Sequence, residues 1–398
     1  MDLYMARQPI FERSQNIFGY ELLYRNGNEN FFPGTDGDLA TAAVINQSLF
    51  SIDAAEVTGG KRAFINFSRE LLLSHIAFAL PNRSIAIEIL ETAEIDDEIA
   101  DVCRCLKQEG YMLVLDDFVY NENCELIFEF VDIVKIDLLA TNPVERMRII
   151  EKCSQHAIKI LAEKVETPEM FKDAKNIGCD YFQGYFFCKP VIMVGKVLSS
   201  SQIARLRLLA ELNCSEPDPV KIRRIVETEI GLAYKLLQYI NSSALGVRNR
   251  IHSIDHAINM LGTKGLSQWI TLVTMKGMLA GKPEELLTTV AIRAKFCELL
   301  TRKIDAQWDS DMFLVGLFSL LDVMLERPMA EILSKLPLTE MIKTALLGEE
   351  NRYKLMLDII RAYERCDWQQ VDRLVKLLGV QGKEVAFCYR DALTWSKG

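Results

Sequence analysis

From residue 3 to about 190, short apolar runs alternate with helical patterns of ten to fifteen residues, and nearly every run ends on a polar residue. The runs are Ala63–Phe67, Ile85–Ile89, Met112–Leu115, Ile133–Ile136, Ile158–Ala162 and Tyr181–Phe182, with helical patterns over 95–109, 143–155 and 168–177. Strands apolar on both faces and separated by helices argue for a parallel sheet. Ahead of them, residues 3–8 and 17–24 flank the polar stretch from Glu12 to Asn16 and predict a hairpin. Seven or eight strands in this length fit a closed α/β barrel better than an open sheet.

The strand ends carry the chemistry. Asn66, Glu88, Asp116 with Asp117, Lys135, Glu163 and Gln183 close successive runs, and Glu21 lies inside the hairpin. Parallel strands send their carboxyl ends to one face, where barrel proteins place their ligands. The plainer alternative is that each residue caps the helix that follows. Capping favours Asp, Asn, Ser and Thr, however, and does not account for Glu, Lys and Gln in the same register. Several carboxylates without His or Cys select hard cations, Mg²⁺ or Mn²⁺. Two such ions are a known device for phosphodiester hydrolysis. The residues alone therefore predict a carboxylate-metal barrel that acts on, or recognises, a phosphate compound.

The chain has 398 residues, enough for two or three domains. Lys and Arg number 46 against 55 Asp and Glu, a net charge of −9 that argues against a nucleic-acid polymer as partner. A small anionic ligand needs only local cations or metal. No stretch has the length of a membrane span, and the first residues show no secretory pattern. Ten scattered cysteines fit reduced thiols and a cytoplasmic protein. From about 200 the strand signals stop, and 201–213, 219–229, 231–241, 253–261, 264–281, 284–304, 311–326 and 339–347 read as helices. The change of period near Gly195 predicts domains over 1–198 and 199–398. His252 and His256 stand four apart without a nearby acidic cluster, so they are expected to be structural.

The first half resembles the EAL-domain family of cyclic-di-GMP phosphodiesterases. The matching segments are Gln8-Pro9-Ile10, Glu21-Leu22-Leu23-Tyr24-Arg25, Asn66 with its neighbours, Glu88-Ile89-Leu90-Glu91 and Asp116-Asp117-Phe118. They continue with Lys135-Ile136-Asp137, the stretch from Ala162 to Thr167, and Gln183-Gly184-Tyr185. The resemblance implies a TIM-type barrel whose metal ligands are Glu21, Asn66, Glu88, Asp116, Asp117 and Glu163, taking Mg²⁺ or Mn²⁺ and inhibited by Ca²⁺. It implies that Lys135 positions the water nucleophile, with Glu21 and Glu163 sharing the catalytic role. Gln8, Arg25, Asp137 and Gln183 would lie at the nucleotide, and Glu91 and Glu166 would support the site. The second half is similar to the HDOD domain through 236–243 and 251–262. Metal-dependent relatives of that domain need a His-Asp pair, and here Ser319 and Leu320 take its place.

Two departures bear on activity. The loop after Phe118 runs Val119-Tyr120-Asn121-Glu122-Asn123-Cys124 without the glycines of the family pattern, and a His-Pro pair after the Arg is replaced by Asn26-Gly27-Asn28. A loop lacking glycine loses positions that tolerate positive φ. The expectation is a cyclic-di-GMP signalling protein with weak, conditional or absent turnover and a catalytically inert HDOD module that recruits partner proteins. The alternative is an active phosphodiesterase producing linear pGpG. A homodimer is left open.

Overall fold

The computed structural model describes residues 3–26, 57–90, 92–118, 125–188, 254–276, 282–304 and 309–396, with short pieces between 206 and 251. It divides into two compact units, Met1–Lys189 with Tyr363–Gln369, and Pro190–Ala362 with Gln370–Gly398. Residues 198 and 199 lie outside the described residues.

The first unit is a closed barrel of strands in chain order. They are β1 (Leu3–Glu12), β2 (Ile17–Asn26), β3 (Arg62–Phe67), β4 (Ile85–Ile89), β5 (Met112–Leu115), β6 (Ile133–Asp137), β7 (Lys159–Glu163) and β8 (Tyr181–Gln183). The expected hairpin forms, with each strand longer than its apolar run. β1 pairs antiparallel with both β2 and β8, while β2 through β8 run parallel. The barrel thus has one reversed strand.

Ile10, Phe64, Ala86, Val114, Ile133 and Leu161 form a buried layer inside the barrel, with Phe18, Met112 and Tyr181 packed on it. Side chains on a strand repeat their face every second residue. Two residues beyond this layer on the parallel strands come Asn66, Glu88, Asp116, Lys135 and Glu163, and Gln183 follows Tyr181 by the same step. On reversed β1 the same step runs backwards, from Ile10 to Gln8. One apolar layer and one polar layer therefore share the barrel interior.

The helices that follow the strands are α1 (Arg69–Leu73), α2 (Asp97–Gln108), α3 (Pro143–Gln155) and α4 (Pro168–Asn176). Their N-caps are Ser68, Asp96, Asn142 and Thr167, each accepting from a first-turn backbone N–H. Pro143 and Pro168 start α3 and α4, where their missing N–H costs nothing. The capping duty lies with these residues, so the strand-end set is free for another role.

The described helices of the second unit begin with α5 (Ile254–Lys276), α6 (Glu284–Ile304), α7 (Asp309–Phe318) and α8 (Leu321–Leu325). They continue with α9 (Met329–Leu333), α10 (Glu340–Leu347), α11 (Arg352–Glu364), α12 (Trp368–Leu378) and α13 (Gly382–Trp395), except that the end of α11 from Tyr363 and the start of α12 to Gln369 belong to the first unit. The two helices expected over 253–281 join as α5 with a kink at Gly262, whose φ of 67° breaks the helical path. The single helix expected over 311–326 is two, α7 and α8, interrupted at Ser319 and Leu320. α6 and α7 touch so closely that a Cβ on Gly316 would lie 2.3 Å from the Arg293 carbonyl oxygen. Much of 201–213, 219–229 and 231–241 lies outside the described residues. No described helix is long and apolar enough to cross a membrane.

Candidate active site

Lys135 rises from the middle of β6 and is 1 % exposed. Its Nζ lies 2.6 Å from Asp116 Oδ1, 2.9 Å from Glu163 Oε1, 3.3 Å from Glu88 Oε1 and 3.4 Å from Glu21 Oε2. Four acids thus converge on a single buried ammonium. Burial works to lower the Lys135 pKa, but the surrounding carboxylates, Glu21 foremost, outweigh it and raise the value well above the ordinary lysine range. The lysine is held charged.

The acids share that charge unequally. Glu21 Oε2 also accepts from Gln183 Nε2 at 2.6 Å, and its Oε1 accepts from Asn66 Nδ2 at 3.2 Å. Burial raises the Glu21 pKa, yet Lys135 and these two amides bring it below the ordinary glutamate value. Burial pushes Glu163 up to about 8, against the pull of Lys135. Asp116 is raised by burial as well. Glu88 is raised well above its usual value, first by burial and then by the charge of Glu21.

Four buried oxygens at this level make no hydrogen bond: both carboxylate oxygens of Glu88, Asn66 Oδ1 and Gln183 Oε1. Glu88 Oε1 is within ion-pair distance of Lys135, but the approach lacks hydrogen-bond geometry. The amides of Asn66 and Gln183 spend their N–H groups on Glu21, which leaves their oxygens unpaired. Buried polar atoms are rarely left so. All four are oxygen donors, the set a hard divalent cation takes. Among the described residues no three acids close on one point as a finished ligand set. The ammonium of Lys135 stands between them.

The strand register explains the convergence. Asn66 pairs with Glu88 across β3 and β4, Asp137 with Glu163 across β6 and β7, and Gln8 with Glu21 across β1 and β2. Gln8 Oε1 accepts from Gln183 Nε2 at 3.0 Å, which ties β1 into the same group. Gly184 follows with φ +142°, and a Cβ there would lie 2.2 Å from the Val165 carbonyl oxygen. Only glycine lets the loop after β8 approach the loop after β7 this closely.

Other expected site residues stand apart from the Lys135 group. Asp117 is exposed, has a φ of 38° and makes no ion pair with Lys135. Asp137 is already engaged. Its Oδ1 accepts from the Leu139 and Ala140 amides at 2.7 and 3.0 Å, and Lys164 Nζ lies 2.5 Å from its Oδ2. Glu166 is exposed on the loop after β7. The side chain of Arg25, the whole of Glu91 and the stretch Val119–Cys124 lie outside the described residues. Lys164 was not anticipated as a partner of Asp137. Its signal is a positive φ of 52°, which a sequence does not display.

In the second unit, Ser319 Oγ accepts from Arg293 Nη1 at 3.3 Å, and both side chains are buried. His256 is exposed on α5, and His252 lies outside the described residues.

Comparison with known proteins places these two units in order. Residues 2–190 match the family model of the EAL domain, and 200–336 match that of the HDOD domain. The uncharacterized protein YuxH of Bacillus subtilis is 36 % identical over 404 residues, covering 99 % of this chain and 98 % of that protein. The cyclic di-GMP phosphodiesterase CdgJ of Vibrio cholerae is 34 % identical over 398 residues, covering 99 % of this chain and 92 % of that protein. Among solved structures, an EAL domain protein from Listeria monocytogenes aligns at 22 % identity and a TM-score of 0.39, covering 47 % of this chain and 87 % of its own. With both domain matches in sequence and relatives similar along nearly their whole length, the chain belongs to the family of proteins that join an EAL domain to an HDOD domain.

Proposed function

We propose that this is a cyclic-di-GMP signalling protein whose barrel binds the dinucleotide over the Lys135 group together with Mg²⁺ or Mn²⁺, with slow or partner-dependent turnover. The observation that carries this reading is the convergence of Glu21, Glu88, Asp116 and Glu163 on one ammonium, beside buried oxygens that no protein donor satisfies. In this reading Glu21, Asn66, Glu88, Asp116, Asp117 and Glu163 hold the metal. Divalent ions, when bound there, supply charge neutralisation for phosphate oxygens and activate water. Lys135 offsets carboxylate charge and orients the water nucleophile. Gln8, Gln183, Arg25 and Asp137 face the nucleotide, while Glu91 and Glu166 support the loops. Slow turnover follows from Val119–Cys124, which contains no glycine to give the loop after Asp117 the family's freedom.

The second unit is proposed as a partner-binding module without metal chemistry. Where a metal-dependent relative would present His and Asp, this chain has Ser319 and Leu320, and the buried guanidinium of Arg293 donates to Ser319. A cation already occupies that neighbourhood. The second reading, an active phosphodiesterase that releases linear pGpG, is favoured by the similarity to CdgJ along nearly the whole chain.

Calorimetric titration with cyclic-di-GMP in Ca²⁺ tests binding, and product analysis in Mg²⁺ or Mn²⁺ tests turnover. Saturable binding that Glu21→Ala abolishes supports the proposal. No binding under any of these ions rejects it. Replacing Val119–Cys124 with a glycine-containing loop separates the two readings: a clear gain in hydrolysis supports the impaired loop, whereas brisk wild-type turnover that the graft leaves unchanged establishes the enzyme.

A further inference from the structure

The first unit includes a short stretch far from the barrel in sequence, Tyr363–Gln369. It is built as a tight turn: Cys366 N–H donates to the Tyr363 carbonyl at 3.1 Å, and Trp368 N–H donates to the Cys366 carbonyl at 2.9 Å. Tyr363 and Trp368 brace it edge to face, with ring centroids 5.1 Å apart. Cys366 has a φ of 57°, the left-handed region that a residue with a Cβ adopts only under constraint.

Its contacts fall on one side of the barrel mouth. Tyr363 OH donates to the Met5 carbonyl on β1 at 3.1 Å. Gln8 Nε2 donates to Cys366 Sγ at 3.9 Å, within reach for sulfur. Tyr185 OH donates to the Glu364 carbonyl, and the Arg365 guanidinium lies 5.7 Å from the Tyr185 ring centroid. Gln8 and Tyr185 flank Gln183, and Gln8 pairs with Glu21 across the hairpin. The segment therefore lies over the Gln8–Gln183–Glu21 edge of the polar layer. Glu21 is 5 % exposed, and Cys366 stands near enough to feel its charge, so the segment covers that carboxylate.

We propose that Tyr363–Gln369 is a built-in stopper that covers the Gln8–Gln183–Glu21 edge and must leave before a cyclic dinucleotide can bind there. This rests on the dinucleotide reading of the barrel. A ligand that binds only the uncovered form has its apparent affinity reduced by the fraction uncovered. Loosening the stopper must then tighten binding. The fastenings named above lie outside the strand ladder, so releasing them leaves the barrel's own hydrogen bonds intact. Three of its fastenings can be removed without touching a barrel residue, by Tyr363→Phe, Arg365→Ala and Cys366→Ala. Alanine keeps the strain of a φ of 57° and loses only the sulfur contact with Gln8.

The test uses the full chain and cyclic-di-GMP in Ca²⁺. The triple variant is expected to bind with a Kd about tenfold lower than wild type. In the wild-type chain, the ligand is expected to speed alkylation of Cys366, followed by peptide mass spectrometry, by about the same factor. Equal or weaker binding by a folded triple variant overturns the stopper while leaving dinucleotide binding intact. Ligand that slows Cys366 alkylation, or leaves it unchanged, also overturns it, because the segment would then stay closed over the bound molecule. If neither protein binds the dinucleotide, the dinucleotide reading itself fails and the stopper with it. Should the triple variant misfold, the wild-type alkylation result decides alone.

Discussion

The two units bury ionic clusters of opposite design. In the barrel, one cation, Lys135, sits among four carboxylates. In the helical unit, one carboxylate, Glu298 on α6, sits among three cations: Lys264 at 2.9 Å, Lys295 at 3.0 Å and Arg302 at 2.5 Å. Gln268 adds a further donor at 3.0 Å. Both central groups are almost wholly buried. The difference lies in what is left over. Each oxygen of Glu298 accepts from a protein donor, whereas around Lys135 both oxygens of Glu88 and those of two amides accept none. A saturated cluster holds helices together; the unsaturated one leaves the acceptors that the proposed metal reading needs. Buried charge alone does not mark a site; the proposed reading rests on four unpaired oxygens gathered at one level of the barrel.

The sharpest way to break this contrast is Lys135→Met. Removing one partner of a buried ion pair costs about 3–5 kcal/mol, and Glu21, held ionised chiefly by Lys135, loses its counter-charge. The barrel should unfold at markedly lower temperature, and Ca²⁺ or Mn²⁺ should restore more stability to the variant than to wild type. A thermal melt that Lys135→Met leaves in place, or that metal does not move, would dissolve the distinction. Glu298→Gln should cost less, about 1–3 kcal/mol, because Lys264 and Arg302 are partly exposed and keep water as a partner. No divalent ion should rescue it.

Acidity separates the clusters by sign. The Glu163 pKa is raised to about 8 by burial, so the folded barrel holds a proton there that the unfolded chain releases above about 4.5. Its contribution favours folding at low pH and is lost as pH climbs through 8. For Glu298, burial opposes ionisation, but Lys295 and Lys264 win and the pKa is lowered. That group stabilises above the ordinary glutamate pKa, and its contribution disappears as pH falls through the lowered value. Amide exchange, corrected for intrinsic rates, should therefore show α6 loosening relative to β7 as the solution is acidified. Parallel pH trends in the two elements would show that the clusters do not differ in this way. The smallest effect is expected of Lys264→Gln, below about 1 kcal/mol, since one partly exposed cation of three is removed. Chemical denaturation that finds a larger loss would make Lys264 the keystone of that cluster.

Much of the barrel and its acids could be predicted from period alone. β4 and β5 match their apolar runs residue for residue, and the acids fall where a parallel strand delivers its carboxyl end. Gln8 was reached only through family resemblance. β1 is reversed, so its inward polar residue precedes the apolar one, and no rule about strand ends would single it out. The Gln8–Cys366 contact had no local signal either, because 358 residues separate the partners and nothing in a hydrophobic pattern encodes such a meeting. The break between α7 and α8 was hidden for a different reason. The run from Met312 to Leu325 is so apolar that all sides of it are buried, which erases the periodicity that would reveal an interruption.

The reversal of β1 also decides where the chain enters the molecule. Because β2 through β8 end at the mouth, β1 must begin there, and Leu3 stands five residues outward of Gln8. At strand spacing that is about 17 Å beyond the polar layer. Anything attached ahead of Leu3 is consequently delivered to the entrance and not to the floor of the barrel. On the proposed reading of the barrel, a purification tag or fusion at that end would crowd ligand entry, while a fluorophore placed there would sit where arrival of the ligand is felt first.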